Sequence, residues 1–187
     1  MNFELLPLAG LAIAHSTARV DHRGAFMRMF CASSLSPVLG HRQIAQINHS
    51  HTAERGAIRG LHFQKSPHAE MKLIRCLRGA VYDVAVDIRP ESATYLRHFS
   101  IELRANDGKL FVIPEGFAHG FQTLSPDTEL LYLHTHHYEP QSESGLLFND
   151  PVLAISWPLP VGDISERDRL HSRIVAVPDL TKTNTKN

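Results

Sequence analysis

The run Gly79-Ala80-Val81-Tyr82-Asp83-Val84-Ala85-Val86-Asp87-Ile88-Arg89 has the two-residue period of a β-strand over 80–88. Tyr82, Val84, Val86 and Ile88 fall on one face. Val81, Asp83, Ala85 and Asp87 fall on the other. Two acids among small apolar residues make that second face either a polar stripe turned to solvent or the wall of a pocket. Outward from this run, 72–77, 110–113 and 129–137 read as further strands, and Pro90, Pro114 and Pro140 punctuate them. Helical signals are sparse: one turn over 32–35, and one over 165–171 where Ser165 is a candidate cap. Many short apolar runs between turn residues predict an all-β sandwich or barrel.

The chain has 187 residues, enough for one domain with a core and short for two. A single domain is expected over 1–178, with 179–187 a flexible Thr/Asn/Lys-rich tail. Nineteen basic side chains balance nineteen acidic ones, which argues against a general nucleic-acid or anionic-membrane binder. Cys31 and Cys76 form no CxxC pair and fit a reduced protein. The apolar stretch over 5–14 is broken by Pro7 and Gly10, and the acidic start Met1-Asn2-Phe3-Glu4 is unlike a secretory leader, so the expected location is cytoplasmic.

Thirteen histidines demand a choice between metal and acid–base chemistry. His49-Ser50-His51 would place two imidazoles on one strand face, with Glu54 close behind and His119 as a distant third ligand. Glu54 sits in a loop-like run, which leaves that set incomplete. His134 and His136 share a face and read as surface or satisfied core residues. His62, in Arg59-Gly60-Leu61-His62-Phe63-Gln64, is followed by a run opening with Lys72, so a base and two cations lie on neighbouring strands. Gly116 and Gly120 flank His119 and imply tight backbone there, consistent with close approach to a ligand.

Taken together, these segments resemble the dTDP-4-dehydrorhamnose 3,5-epimerase family. The resemblance runs in order through Asp21-His22-Arg23-Gly24-Ala25-Phe26, Gln46-Ile47-Asn48-His49-Ser50, 59–64, Lys72-Leu73-Ile74-Arg75, 79–89 and 113–121. It continues through Tyr132 and Tyr138, Asn149-Asp150-Pro151, Trp157-Pro158 and Ser165-Glu166-Arg167-Asp168. It implies a cupin-type β jelly roll, a homodimer whose N-terminal strands reach onto the partner subunit, and no cofactor or metal. It implies inversion of C3 and C5 of a 4-keto-6-deoxy sugar on a nucleoside diphosphate, in the making of a deoxysugar. Both carbons flank the C4 ketone, so removing either proton spreads charge into an enolate.

The resemblance makes His62 the base, Asp168 its orienting carboxylate, Lys72 the cation near the enolate oxygen and Tyr132 the acid on the far face. A cation beside Tyr132 is expected, because a phenol ordinarily titrates near pH 10. Arg23, Arg59 and His119 match phosphate and sugar contacts, and Gln46 and Tyr138 match residues near the nucleoside. Asn48 and Glu143 also match substrate-contact positions. Three positions depart from the family pattern. Arg28 stands where a glutamate is usual, Glu70 where a glutamine is usual, and Phe148 where a tryptophan is usual. Arg28 and Glu70 are placed among the substrate contacts, and they leave inversion of one carbon, or a CDP- or GDP-linked sugar, as alternatives. A metal cupin using His49, His51 and His119, and a non-catalytic nucleotide-sugar binder, are the readings of other classes.

Overall fold

A computed structural model of the chain describes residues 1–174, so the end of the expected domain and the expected tail lie outside the described residues. Two antiparallel sheets face each other. The six-stranded sheet runs in the order β1 (Asn2–Leu5), β2 (Ala12–His15), β10 (Lys109–Ile113), β7 (Lys72–Arg78), β12 (Thr128–His134) and β5 (Gln46–Thr52). The five-stranded sheet runs β13 (Glu143–Gly145), β6 (Ile58–Gln64), β11 (Phe117–Thr123), β8 (Ala80–Asp87) and β9 (His98–Arg104). A separate ribbon pairs β3 (Arg19–Asp21) with β4 (Gly24–Phe26). This is the antiparallel all-β sandwich that the strand spacing predicts.

The 80–88 run becomes β8, buried on both faces. Tyr82, Val84 and Val86 pack outward with Leu61 beneath Leu153 and Trp157. Val81 and Ala85 pack inward against Phe111, Phe121 and Ile74. Neither acid forms a solvent stripe. Asp83 and Asp87 are both fully buried, and Asp83 lies 2.8 Å from His119 Nε2. Asp87 instead accepts hydrogen bonds from Arg89, Ser92 and Thr94 at one end of the sandwich.

The expected turn over 32–35 extends to a two-turn helix, α1 (Ala32–Leu39), despite Pro37. The proline removes a helical N–H donor, and the Ser36 hydroxyl instead donates to the Ser33 carbonyl at 2.9 Å. Leu35 and Leu39 then cover Leu73, Leu110 and Leu133 on the outer face of the six-stranded sheet. Each such fully buried aliphatic side chain contributes roughly 1.5–3 kcal/mol. The second helix, α2 (Glu166–Arg169), starts at Ser165 as expected, whose hydroxyl accepts from the Asp168 N–H at 3.1 Å.

Candidate active site

The inward rows of the two sheets begin as core and end as pocket. On β12 the row is Leu130, Tyr132, His134; on β7 it is Cys76, Ile74, Lys72. Where polar side chains take over, a cavity of about 840 Å³ opens, lined from both sheets and from α2.

His62 lies on β6, opposite His119 in the β11 ladder. These two strands approach closely because both facing positions are glycine. A Cβ on Gly120 would stand 2.8 Å from the Arg59 carbonyl oxygen, and Gly60 holds φ +119°. The tight backbone foreseen around His119 therefore serves strand contact at Gly120. The approach also places His62 beside Asp168. The Gly60 N–H donates to Asp168 Oδ2 at 3.0 Å, while Asp168 Oδ1 lies 2.8 Å from His62 Nε2. A carboxylate acceptor at that distance keeps the proton on Nε2 and leaves the Nδ1 lone pair to accept another. Burial acts to raise the Asp168 pKa. The bonds from His62, Gly60 and Ser165 outweigh it and hold the carboxyl well below its ordinary range.

The six-stranded sheet supplies the facing groups. Lys72 is buried, donates to the His62 carbonyl oxygen at 3.0 Å, and lies 3.4 Å from Glu70 Oε1. Burial pushes its pKa down, against the attraction of Glu70. Glu70 Oε2 accepts from His134 Nδ1 at 2.8 Å. Burial acts to raise Glu70, yet His134 and Lys72 hold it below its ordinary value. Tyr132 lies between two histidines, 6.0 Å from the His134 ring and 6.1 Å from the His119 ring. Its phenol is not activated by a cation as expected. Burial and the Asp83 charge push it up, outweighing the influence of Arg59.

His119 is buried, and its Nε2 lies 2.8 Å from Asp83 Oδ1. Burial pushes His119 down and Asp83 up. At the mouth, Arg59 donates from Nε to Thr52 Oγ1 at 3.0 Å and leaves part of its fork exposed. Glu143 accepts from the Tyr138 hydroxyl at 2.7 Å and from Arg167 at 3.0 Å. Gln46 donates to Asn48 at 3.1 Å and accepts from the Tyr138 N–H at 3.0 Å.

One chain thus brings together His62, Lys72, Tyr132, Asp168, Asn48, Arg59, Glu70, His119, Tyr138 and Glu143, with Gln46 at the edge. It does not bring in Arg23 or Arg28. Arg23 is on the exposed β3–β4 ribbon, tied to Asp21, and Arg28 lines a separate hollow beside Met1 and Arg19. The imagined metal set also comes apart. His49 faces Glu129 and His51 faces Asp127, both about half exposed, while His119 is engaged by Asp83. His134 is neither surface nor inert core, because it lines the cavity. Its place two residues after Tyr132 on one face was the available signal. Arg167 sits in a quoted motif but carried no role, and His171 was missed. Its ring lies 5.8 Å from that of His62.

The family model described as dTDP-4-dehydrorhamnose 3,5-epimerase matches residues 5–175. The dTDP-4-dehydrorhamnose 3,5-epimerase of Salmonella typhimurium is 41% identical over 161 residues, covering 86% of this chain and 85% of that protein. Among solved structures, the epimerase of that name from Bacillus anthracis, with TDP and pyrophosphate bound, superposes with a TM-score of 0.87 at 35% identity, covering 92% of this chain and all of that one. A 3'-monoepimerase from Streptomyces bikiniensis in complex with dTDP-quinovose gives a TM-score of 0.84 at 31% identity, covering 90% of this chain and 85% of that one. The sandwich is therefore the cupin-type jelly roll.

Proposed function

Because this chain belongs to the dTDP-4-dehydrorhamnose 3,5-epimerase family, we propose that it inverts C3 and C5 of dTDP-4-dehydro-6-deoxyglucose. The observation that carries the reading is His62 on one sheet, paired with Asp168 of α2, facing Lys72 and Tyr132 on the other sheet across one cavity.

His62 takes the proton next to the ketone through Nδ1, and Asp168 steadies the imidazolium that forms. Lys72 faces the C4 oxygen as negative charge gathers there. Tyr132 delivers a proton to the opposite face. The enolate carbon takes that proton, and solvent reloads the phenol before the next turnover. His119, held by Asp83, and Arg59 approach the diphosphate and sugar. Asn48, Gln46 and Tyr138 approach the nucleoside, and Glu143 closes the mouth. Glu70 supports the charge of Lys72. No step calls for a cofactor.

Arg23 and Arg28 serve this reading only in a dimer. The β3–β4 ribbon pairs with neither sheet, and Val20 and Phe26 on it are 76% and 75% exposed. A second copy receives this ribbon, and Arg23 reaches the partner's diphosphate site. The two free cysteines agree with a reducing cytoplasm, and no helix among the described residues is long and apolar enough to cross a membrane.

The test uses heavy water, with the dTDP-4-keto-6-deoxy sugar made in place by a dehydratase. Deuterium at C3 and C5 is expected. Entry at one carbon alone replaces this reading with single inversion, the activity in the name of the Streptomyces relative. No incorporation above the enzyme-free control turns attention to CDP- and GDP-linked sugars, with Glu70 and Arg28 as the residues to exchange first.

A further inference from the structure

His62, Asp168 and His171 each offer one ligand atom, and these three atoms lie within 4.8 Å of one another. Two imidazoles and one carboxylate are a donor set that zinc accepts, leaving a fourth position for water. His171 adds an observation of its own. Its Nε2 is buried with no hydrogen-bond partner, 3.7 Å from Asp168 Oδ1. Buried polar atoms ordinarily find a partner. The ring is also held in place, because it packs directly over Gly145, where any side chain would collide with it.

We propose that His62, Asp168 and His171 form an inhibitory zinc site built over the catalytic base. The inhibition rests on the epimerase reading; the binding does not. Zinc takes the lone pair of His62 Nε2, and the proton there moves to Nδ1. The imidazole stays neutral, and the nitrogen that would accept the sugar's proton is now capped. Asp168 gives an oxygen to the metal, and His171 gives its unpartnered Nε2. No net proton is lost.

Arg167 opposes the metal. Its Nη2 is 3.2 Å from His62 Nε2 and its Nε is 3.4 Å from Asp168 Oδ1. Zinc must displace this guanidinium, which stays tethered to Glu143 at 3.0 Å and is largely exposed. Two substitutions therefore act in opposite directions. His171→Ala removes a ligand, and Arg167→Gln removes a repelling charge.

The experiment titrates zinc into the full chain by calorimetry in a weakly coordinating buffer, for the wild type and both variants. Zinc inhibition of deuterium incorporation is measured alongside, each protein normalised to its own zinc-free rate. Loss of a ligand is expected to weaken the inhibitory binding roughly tenfold or more, as weakening of a metal shell does. Arg167→Gln is expected to tighten it, which general damage to the fold would not do. Anomalous diffraction at the zinc edge is expected to give a peak between the three side chains. Zinc bound equally well by His171→Ala, or a peak confined to surface histidines such as His49 and His51, overturns the site. A peak at the three residues with turnover unchanged overturns the inhibition. Zinc at that site in a protein that exchanges no deuterium supports the site and counts against the epimerase reading alone.

Discussion

Asp168 Oδ1 lies 2.8 Å from His62 Nε2, joining a one-turn helix near the end of the described chain to a strand 106 residues earlier. The carboxylate has little freedom. Its other oxygen holds the Gly60 N–H, and its own N–H closes the Ser165 cap. Asp168→Asn would keep this shape and change the proton. An amide NH2 facing Nε2 makes that nitrogen an acceptor and moves the imidazole proton to Nδ1. A drop in kcat of about 10³-fold or more is expected, with KM little changed, by analogy with the tautomer effect in other His–carboxylate sites. Steady-state kinetics beside a thermal melt decide it. A wild-type kcat removes Asp168 from its role.

Tyr132 and His62 sit on opposite sheets, so exchange and inversion should separate. In Tyr132→Phe, His62 still removes a proton and returns a solvent-derived one to the same face. Deuterium incorporation into unepimerised sugar is expected to continue while net epimerisation falls by about 10²–10⁴-fold, the usual worth of a positioned acid. NMR of the recovered sugar reads both quantities. Equal loss of exchange and inversion would place Tyr132 in the first proton transfer instead.

Lys72 is pushed below its ordinary pKa by burial, and Glu70 is the foremost charge resisting that push. Asp83 and Glu143 add smaller attractions of the same sign. Replacing Glu70 by glutamine removes the largest of these, so Lys72 should lose its proton at a lower pH. The basic limb of the kcat/KM profile is then expected to move to lower pH, with the plateau retained. A basic limb that stays in place, or moves upward, means that Lys72 does not carry the enolate charge.

Much of this was legible in the residues. The period-2 run at 80–88 located β8, and Ser165 located the cap that aims Asp168. The meaning of Asp83 and Asp87 was not legible. Alternation tells which residues share a face, but not whether that face meets solvent, a cavity or the opposing sheet. Asp83 is explained only by His119 beside it, and Asp87 only by Arg89, Ser92 and Thr94 folding back onto it. His171 was invisible for the same reason: its neighbours His62 and Gly145 come from other strands. The pKa of Tyr132 depended on burial, which the sequence does not print.

Asp87 gives a stability prediction. Burial acts to raise its pKa, but Arg89, Ser92 and Thr94 hold the folded carboxyl far below its ordinary value. Its contribution is therefore complete above the unfolded carboxylate range, near pH 4, and is lost as pH falls below that range. Asp87→Asn is expected to cost about 3 kcal/mol at neutral pH, since it leaves Arg89 without its anion beside a buried site. The difference between the two proteins should shrink as the pH approaches 2. Urea melts at several pH values measure this, and a constant difference would mean that the carboxylate charge is not what stabilises that end of the sandwich.

The β3–β4 ribbon leads to the sharpest prediction about assembly. If Arg23 acts in the partner's site, His62→Ala and Arg23→Ala damage different halves of a shared unit. Each variant alone should be nearly inactive. Chains denatured together in equal amounts and refolded give half mixed dimers. In each mixed dimer one site pairs an intact His62 with an intact Arg23, and the other site carries both lesions. About a quarter of wild-type activity is then expected from the mixture, as two-fold symmetry requires. Were Arg23 to act in its own chain, no site in the mixture would be whole and activity would stay at the level of the single variants. Exposed Phe26 offers a second handle: Phe26→Asp should shift the protein toward monomer in light scattering, and activity should fall with the dimer fraction. A dimer that survives Phe26→Asp, together with no rescue on mixing, would leave the ribbon's exposed apolar side chains without the partner assigned to them.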